Sequence, residues 1–323
     1  MRRREFLISS YGVAVLWASP ALPQTAGRVP RILWLSTESQ PDPFVEGFRE
    51  GLRRHGYVDG QNVAIELHYA PGNPDALQRV IGELLESKPD LVVASGPAIR
   101  ASRLAKGVPV LFVMSGDPVE LGIAQSLSRP GGNFTGMTFM SLDVAGKRIE
   151  LLKELIPQLA RLAVLSNTDH PGEASEWRVS QQVAKGLGIE PVYVPFKGGG
   201  EIDSALTAIR QARADAVLVF PEGVTMVHRG KIAGFVMALR LPSMFGWREY
   251  CDAGGFMSYG ANQRTTYFRL AEFADRLLRG TKPAELPIEQ PTIFELVING
   301  KTAKGMGFAI PRPLLARADE VIE

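Results

Sequence analysis

Six short segments of the 323-residue chain place hydroxyl, carboxyl and aromatic side chains directly after apolar runs. They read Ser36-Thr37-Glu38-Ser39, Ser95-Gly96-Pro97, Ser115-Gly116-Asp117-Pro118, Asn167-Thr168-Asp169, Pro221-Glu222-Gly223 and Gly246-Trp247-Arg248-Glu249-Tyr250. Hydroxyls and small residues where a helix is about to open supply donors, side-chain and backbone alike, for a carboxylate or another anionic head. A carboxylate in an opposing segment would hold an amine, and an aromatic ring would wall the apolar part of a ligand. The candidate ligand-binding residues are therefore Ser36, Thr37, Ser95, Gly96, Ser115, Gly116, Asp117, Asn167, Glu222, Trp247, Tyr250 and Tyr259. Each also has a structural use open to it. The serines can cap helices, Asp117 before Pro118 can make a turn, and Trp247 and Tyr259 can be core. Together they describe enclosure of a small polar molecule.

Signatures of catalysis are missing. His55, His68, His170 and His228 show no metal-ligand spacing, and the chain has no H-E-x-x-H, no G-x-S-x-G and no P-loop. Gly198-Gly199-Gly200 and Gly305-Met306-Gly307 lack the strand-to-helix setting of a dinucleotide fingerprint. The expectation is a binding protein with no catalytic residue, no metal and no cofactor. Two competing readings are an exported α/β enzyme using Glu222 or Glu249 as general base, and a sensory ligand-binding domain.

The segments sit at the ends of strands. Arg31–Thr37, Leu91–Ala94 and Pro109–Met114 are short apolar runs and Val63–Ala70 reads as a further strand, separated by helical spacing such as Phe44, Phe48 and Leu52 or Leu77, Ile81 and Leu84. Runs apolar on both faces are what parallel strands covered by helices require. The pattern restarts at 144–158, with strands expected at Leu162–Leu165, Val192–Phe196 and Ala216–Phe220. The fold class is thus α/β, with two Rossmann-like lobes. Ligands of such sheets lie beyond the carboxyl ends of the strands, which is where the six segments fall. The strand and helix between Gly254 and Gly280, followed by a proline-rich stretch, suggest a return to the first lobe and a three-crossing hinge. The expected division is residues 1–26 as leader and start of the mature chain, 27–140 with 254–282 as lobe I, and 141–253 with 283–323 as lobe II.

The leader follows from Arg2-Arg3-Arg4 before the apolar stretch Leu7–Trp17 and the small residues Ser19-Pro20-Ala21. This is the layout of a cleaved export signal, and Arg3-Arg4-Glu5-Phe6-Leu7 resembles the twin-arginine motif. The chain has 36 basic and 34 acidic residues; three arginines and one glutamate lie in the leader, leaving 33 of each. A neutral mature chain has no general attraction for nucleic acid. Cys251 is the single cysteine, and none lies near the cleavage region, so neither an intramolecular disulfide nor a lipid anchor is expected. The reading is a periplasmic, freely soluble monomer.

Several blocks in order carry a family resemblance across essentially the whole chain. They are Met1-Arg2-Arg3-Arg4-Glu5-Phe6, Gly56-Tyr57-Val58-Asp59-Gly60-Gln61-Asn62-Val63, Gly116-Asp117-Pro118-Val119, Arg129-Pro130-Gly131-Gly132-Asn133-Phe134-Thr135-Gly136, Trp247-Arg248-Glu249, Ala253-Gly254-Gly255 and Met257-Ser258-Tyr259-Gly260. The ending, Leu296-Val297-Ile298-Asn299 and Leu314-Leu315-Ala316-Arg317-Ala318-Asp319-Glu320, fits too. With these the chain resembles the ABC transporter substrate-binding proteins of the tryptophan/tyrosine type. The resemblance implies the type I periplasmic-binding-protein fold, an amino-acid-like ligand, an inner-membrane ABC permease as partner and delivery of the ligand to it. By position, Ser36, Ser95, Ser115 and Asp117 would line the first lobe, with Asn167, Glu222 and Trp247 facing them from the second. Ser115 and Cys251 stand where the family pattern differs.

Overall fold

The computed structural model describes residues 28–38, 40, 42–139 and 142–323; the leader expected at residues 1–26 lies outside them. The apolar runs of the first half become β1 (Arg31–Ser36), β2 (Ala64–Tyr69), β3 (Leu91–Ser95) and β4 (Val110–Met114), joined by β5 (Phe134–Thr138). They form an all-parallel sheet in the order β2-β1-β3-β4-β5. β3 and β4 are buried almost throughout, as strands covered on both faces must be.

The second half builds β6 (Arg161–Asn167), β7 (Glu190–Phe196), β8 (Ala216–Val219), β9 (Ser243–Phe245), β10 (Met257–Ala261), β11 (Phe294–Asn299) and β12 (Glu320–Ile322). Their order is β12-β11-β10-β9-β8-β6-β7, parallel except where β11 runs antiparallel to β10. Two such sheets with their helices make an α/β protein of the type I periplasmic-binding-protein class.

Three connections pass between the lobes, and the structure corrects where two of them fall. The segment 254–282 was expected to travel whole to the first lobe. Instead β10 stays in the second sheet, paired with β9 and β11, its Met257 and Ala261 buried there. The crossing is at Asn262, whose side chain accepts from Thr265 N at 3.0 Å and so caps the helix Gln263–Leu278. That helix alone lies on the first lobe. The return is also later than expected. Residues 286–289 run beside β5: Thr135 Oγ1 donates to Leu286 O at 2.8 Å, Thr138 N donates to Glu289 O at 2.9 Å, and Ile288 is buried in the first lobe's core. Burying Leu286 and Ile288 holds these residues to the first lobe before the chain turns to β11.

The helix Gln263–Leu278 is held by the helix Pro43–Arg54 at a crossing too close for side chains. A Cβ on Gly51 would lie 2.4 Å from Phe268 O and 2.6 Å from the Ala271 Cβ. Around this contact Trp34, Phe44, Phe48 and Tyr267 pack, with Trp34 and Tyr267 ring centroids 5.6 Å apart. Among the described residues no helix is long and apolar enough to cross a membrane. We predict that Gly51→Ala, which must push the two helices apart, lowers stability by about 2 kcal/mol. An unchanged urea midpoint would show that the helices can separate freely.

Candidate functional site

The carboxyl ends of the two sheets face each other across a narrow cleft, part of it continuous with solvent. Thr37 and Glu38 enter from the loop after β1, Ser95, Gly96 and Pro97 from that after β3, and Ser115 from that after β4. From the second lobe come His170 after β6, Pro221, Glu222 and Gly223 after β8, and Trp247 after β9.

One wall is aromatic. Phe44 stacks on Tyr267 with centroids 5.1 Å apart and planes 11° from parallel, while Trp247 stands edge-on to Phe44 at 6.1 Å and 6.1 Å from Phe139. Phe44 is set by the cap before its helix: Asp42 Oδ1 accepts from Phe44 N at 2.9 Å, and its other oxygen accepts from Trp34 Nε1 at 3.2 Å. Gln263, one turn ahead of Tyr267, completes this wall. It is 1% exposed, and neither atom of its amide has a hydrogen-bond partner among the described residues.

The other wall is acidic. Glu222 caps the helix Gly223–Val227, accepting from Val224 N at 2.8 Å and Thr225 N at 2.6 Å, and also takes a bond from Asn167 Nδ2 at 3.1 Å. Its carboxylate is largely committed to the protein. Glu38 is also buried, yet its carboxylate accepts no hydrogen bond from the described residues. Burial, then Asp42 and Glu222, push the Glu38 carboxyl well above the usual range. Burial raises Glu222 as well, against the opposing pull of His170. Burial disfavours the charged form of His170, but Glu176 and Glu222 outweigh it and raise this imidazole. Behind it Glu176, fully buried, lies 3.9 Å from His170 Nε2 and acts electrostatically on the buried Arg148.

The lobes touch where side chains are smallest. Ser115 Oγ of the first lobe and His170 Nε2 of the second are 2.8 Å apart, both buried. A Cβ on Gly172 would stand 3.0 Å from Ser115 O, and one on Gly223 2.5 Å from Thr37 Oγ1 and 3.2 Å from Glu38 Oε1.

Of the residues expected to bind ligand, Thr37, Ser95, Gly96, Ser115, Glu222 and Trp247 line this cleft. The others do not. Ser36 is fully buried, its hydroxyl accepting from Glu38 N at 3.0 Å, so it shapes the loop. Asp117 folds back on its own turn, accepting from Val119 N at 2.7 Å, and Gly116 packs against Gly172. Asn167 stands behind Glu222 and holds it. Tyr250 is buried against Phe245, centroids 4.8 Å apart, with its hydroxyl 2.7 Å from Thr225 Oγ1. Tyr259 packs toward Phe294. Capping of the helices at the cleft falls to Asp42, Glu222 and Asn262; Ser95 makes no side-chain cap bond, and Ser115 spends its hydroxyl on His170. Sequence reading missed Glu38, Phe44, Phe139, His170, Gln263 and Tyr267. Glu38 sat in plain view within the first loop segment. Phe44 and Tyr267 were legible only as core positions of helices.

Residues 34–322 match the family model described as ABC transporter substrate binding protein. The chain belongs to the ABC transporter substrate-binding protein family. A relative from Clostridioides difficile (strain R20291), the tyrosine-binding protein, is 25% identical over 268 residues, covering 82% of this chain and 76% of its own. Among solved structures, a conserved domain protein from Vibrio cholerae superposes with a TM-score of 0.85 at 24% identity, over 91% of this chain and 100% of its own. An ABC domain in complex with L-Trp from Streptococcus pneumoniae superposes with a TM-score of 0.81 at 24% identity, over 90% and 100%. For a substrate-binding protein of this fold, the cleft between the lobes is the place where a ligand can touch both of them at once.

Two predictions concern this substrate-binding protein without ligand. Gly223→Val should hold the lobes apart, because the new side chain occupies the place of Thr37 Oγ1. The expected result is a larger radius of gyration by small-angle X-ray scattering with an unchanged circular dichroism spectrum; an unchanged radius would mean that the lobes do not meet at Gly223. Glu249, outside the cleft, supplies the second. Burial pushes its carboxyl up to about 7. A carboxyl whose folded value is raised binds more protons folded than unfolded, so stability falls as pH rises between about 4.5 and 7. Glu249→Gln should remove that fall and be more stable than the parent at pH 8 by about 3 kcal/mol. Parallel pH–stability curves for the two proteins would refute this.

Proposed function

We propose that this chain is the periplasmic solute-binding component of an ABC importer and that it closes on a small amino-acid-like ligand with an aromatic side chain. One observation carries the reading. An acid from each lobe, Glu38 and Glu222, lines the same cleft as the rings of Phe44, Phe139, Trp247 and Tyr267 and the hydroxyls of Thr37, Ser95 and Ser115.

In this reading the ammonium group goes to Glu38, the acid that the protein leaves free, with Glu222 close behind it. The carboxylate goes to the hydroxyls of Thr37 and Ser95 and the backbone N–H of Gly96, and the side chain lies among the rings. The tyrosine-binding relative and the L-Trp complex of the pneumococcal structure support an aromatic amino acid. The same proposal takes the chain as exported by its twin-arginine-like leader, cleaved, free of a lipid anchor and monomeric. It passes its ligand unchanged to an inner-membrane permease. A general base at Glu249 finds no support, since this residue is not part of the cleft lining.

A thermal-shift screen of the twenty amino acids tests the proposal. Ligand at about a hundredfold over its Kd stabilises by about 2.7 kcal/mol, a rise in Tm of roughly 5 °C for a chain of this size. Aromatic amino acids should give that rise, and a flat response to all twenty would sink the reading. With an aromatic amino acid that binds, Glu38→Gln should weaken affinity by about tenfold or more, through loss of a charge-assisted bond. Asp117→Ala should leave it within about twofold, because its carboxylate serves a turn. The reverse ranking by calorimetry would give the amine contact to Asp117.

A further inference from the structure

Buried polar atoms in folded proteins are almost always hydrogen-bonded, and a buried amide with two unmade bonds is a costly feature unless something absent from the chain completes it. Gln263 is such an amide. It is 1% exposed, lines the cleft, and leaves both its oxygen and its nitrogen without partners among the described residues. Its position on the helix is set on both sides: Asn262 caps the first turn, and Tyr267, four residues on, is fixed by stacking on Phe44.

Its neighbours indicate which part of a ligand it would meet. Residues four apart share a helix face, so Gln263 stands beside Tyr267 and belongs to the aromatic wall. The groups suited to an α-ammonium and an α-carboxylate, Glu38 and the Thr37 and Ser95 hydroxyls, come from the strand-end loops of the first sheet. A primary amide offers one acceptor and two donors at fixed spacing, which complements a phenolic hydroxyl through either atom and an indole N–H through its oxygen.

We propose that Gln263 is a specificity-determining residue, reading a hydrogen-bonding group on the ring of an aromatic amino acid and so selecting tyrosine or tryptophan over phenylalanine. This rests on the amino-acid reading of the same cleft. A site built to bond a ligand hydroxyl or N–H rejects the analogue lacking it far more strongly than an apolar pocket rejects a missing methylene, because its own polar group is then left unpaired.

The test is calorimetric titration of L-tyrosine, L-tryptophan and L-phenylalanine into the full mature chain and into Gln263→Met, a substitution that keeps side-chain length and removes the amide. Wild type should bind L-tyrosine or L-tryptophan at least about tenfold tighter than L-phenylalanine. In Gln263→Met that margin should collapse to within about threefold, while L-phenylalanine affinity holds or improves. The ligand-free Tm should stay level or rise, since two unmet bonds are gone; a residue with a merely structural role would lower it. Gln263→Leu provides a second apolar variant with the same expected pattern if Gln263→Met fails to fold. Equal losses for all three ligands, or a wild type that does not distinguish them, would overturn the role of Gln263 while leaving the amino-acid reading intact. Absence of binding by all three to the wild type would overturn both.

Discussion

The cleft depends on one constraint: parallel strands all end on the same side. Each sheet presents its loops at one edge, and the three crossings turn those two edges toward each other. Thr37, Ser95 and Ser115 leave β1, β3 and β4, while His170, Glu222 and Trp247 leave β6, β8 and β9. None of these side chains is near another in sequence. Their convergence is a consequence of strand direction, and it would be lost if either sheet ran the other way. The contacts between the edges then require small residues, which Gly172 and Gly223 provide.

Strand direction also explains what could be read before the structure. Seven of the strands, β1 to β4 and β6 to β8, are readable between stretches of helical spacing, five of them as apolar runs and the half-exposed edge strands β2 and β7 by their place in the alternation, and that pattern implies two doubly wound lobes. β5 did not announce itself, because Phe134-Thr135-Gly136-Met137-Thr138 mixes threonine and glycine with apolar residues although all five are buried. The hydroxyl of Thr135 is satisfied by Leu286 O, a partner 151 residues away, so no local pattern could mark it as core. β9 and β12 have three residues each, too few to show a period. The error over β10 has a similar origin. A strand bounded by glycines reads as an independent unit, and only its pairing with β9 and β11 decides which sheet holds it.

The site was legible in proportion to how much of it lies on loops. Looking just past each strand found Thr37, Ser95, Gly96, Ser115, Glu222 and Trp247. The aromatic wall instead comes largely from helix positions, and an inward helix residue looks the same in sequence whether it faces a sheet or a cleft. Phe44 and Tyr267 show the difficulty, since both belong to the core cluster as well as to the cleft lining. Choosing between acids was harder still. Asp117 and Glu38 each stand within three residues of the end of a strand of the first sheet, and the distinction is that Asp117 reaches its own turn while Glu38 keeps its carboxylate free. Hydrogen-bond accounting separates them where residue type does not.

The same accounting links ligand to motion. Glu38 belongs to one lobe and Glu222 to the other, and they converge only when the lobes meet. Two buried carboxylates brought together in a medium poorer than water in dielectric screening oppose that approach unless one is protonated or a cation stands between them. Within the second lobe His170 partly offsets Glu222 and Glu176 in turn faces His170, while Arg229 opposes the rise of Glu38 without overcoming burial and its acidic neighbours. A ligand can shift an equilibrium between open and closed only by its difference in affinity for the two forms. In the proposed reading the ligand's ammonium group supplies that difference directly. Bound to one lobe it meets one acid; with the lobes together it lies near both, and it offsets the repulsion between them. Affinity and closure then have the same electrostatic source, and a neutral analogue of the right shape would fill the cleft without closing it as well.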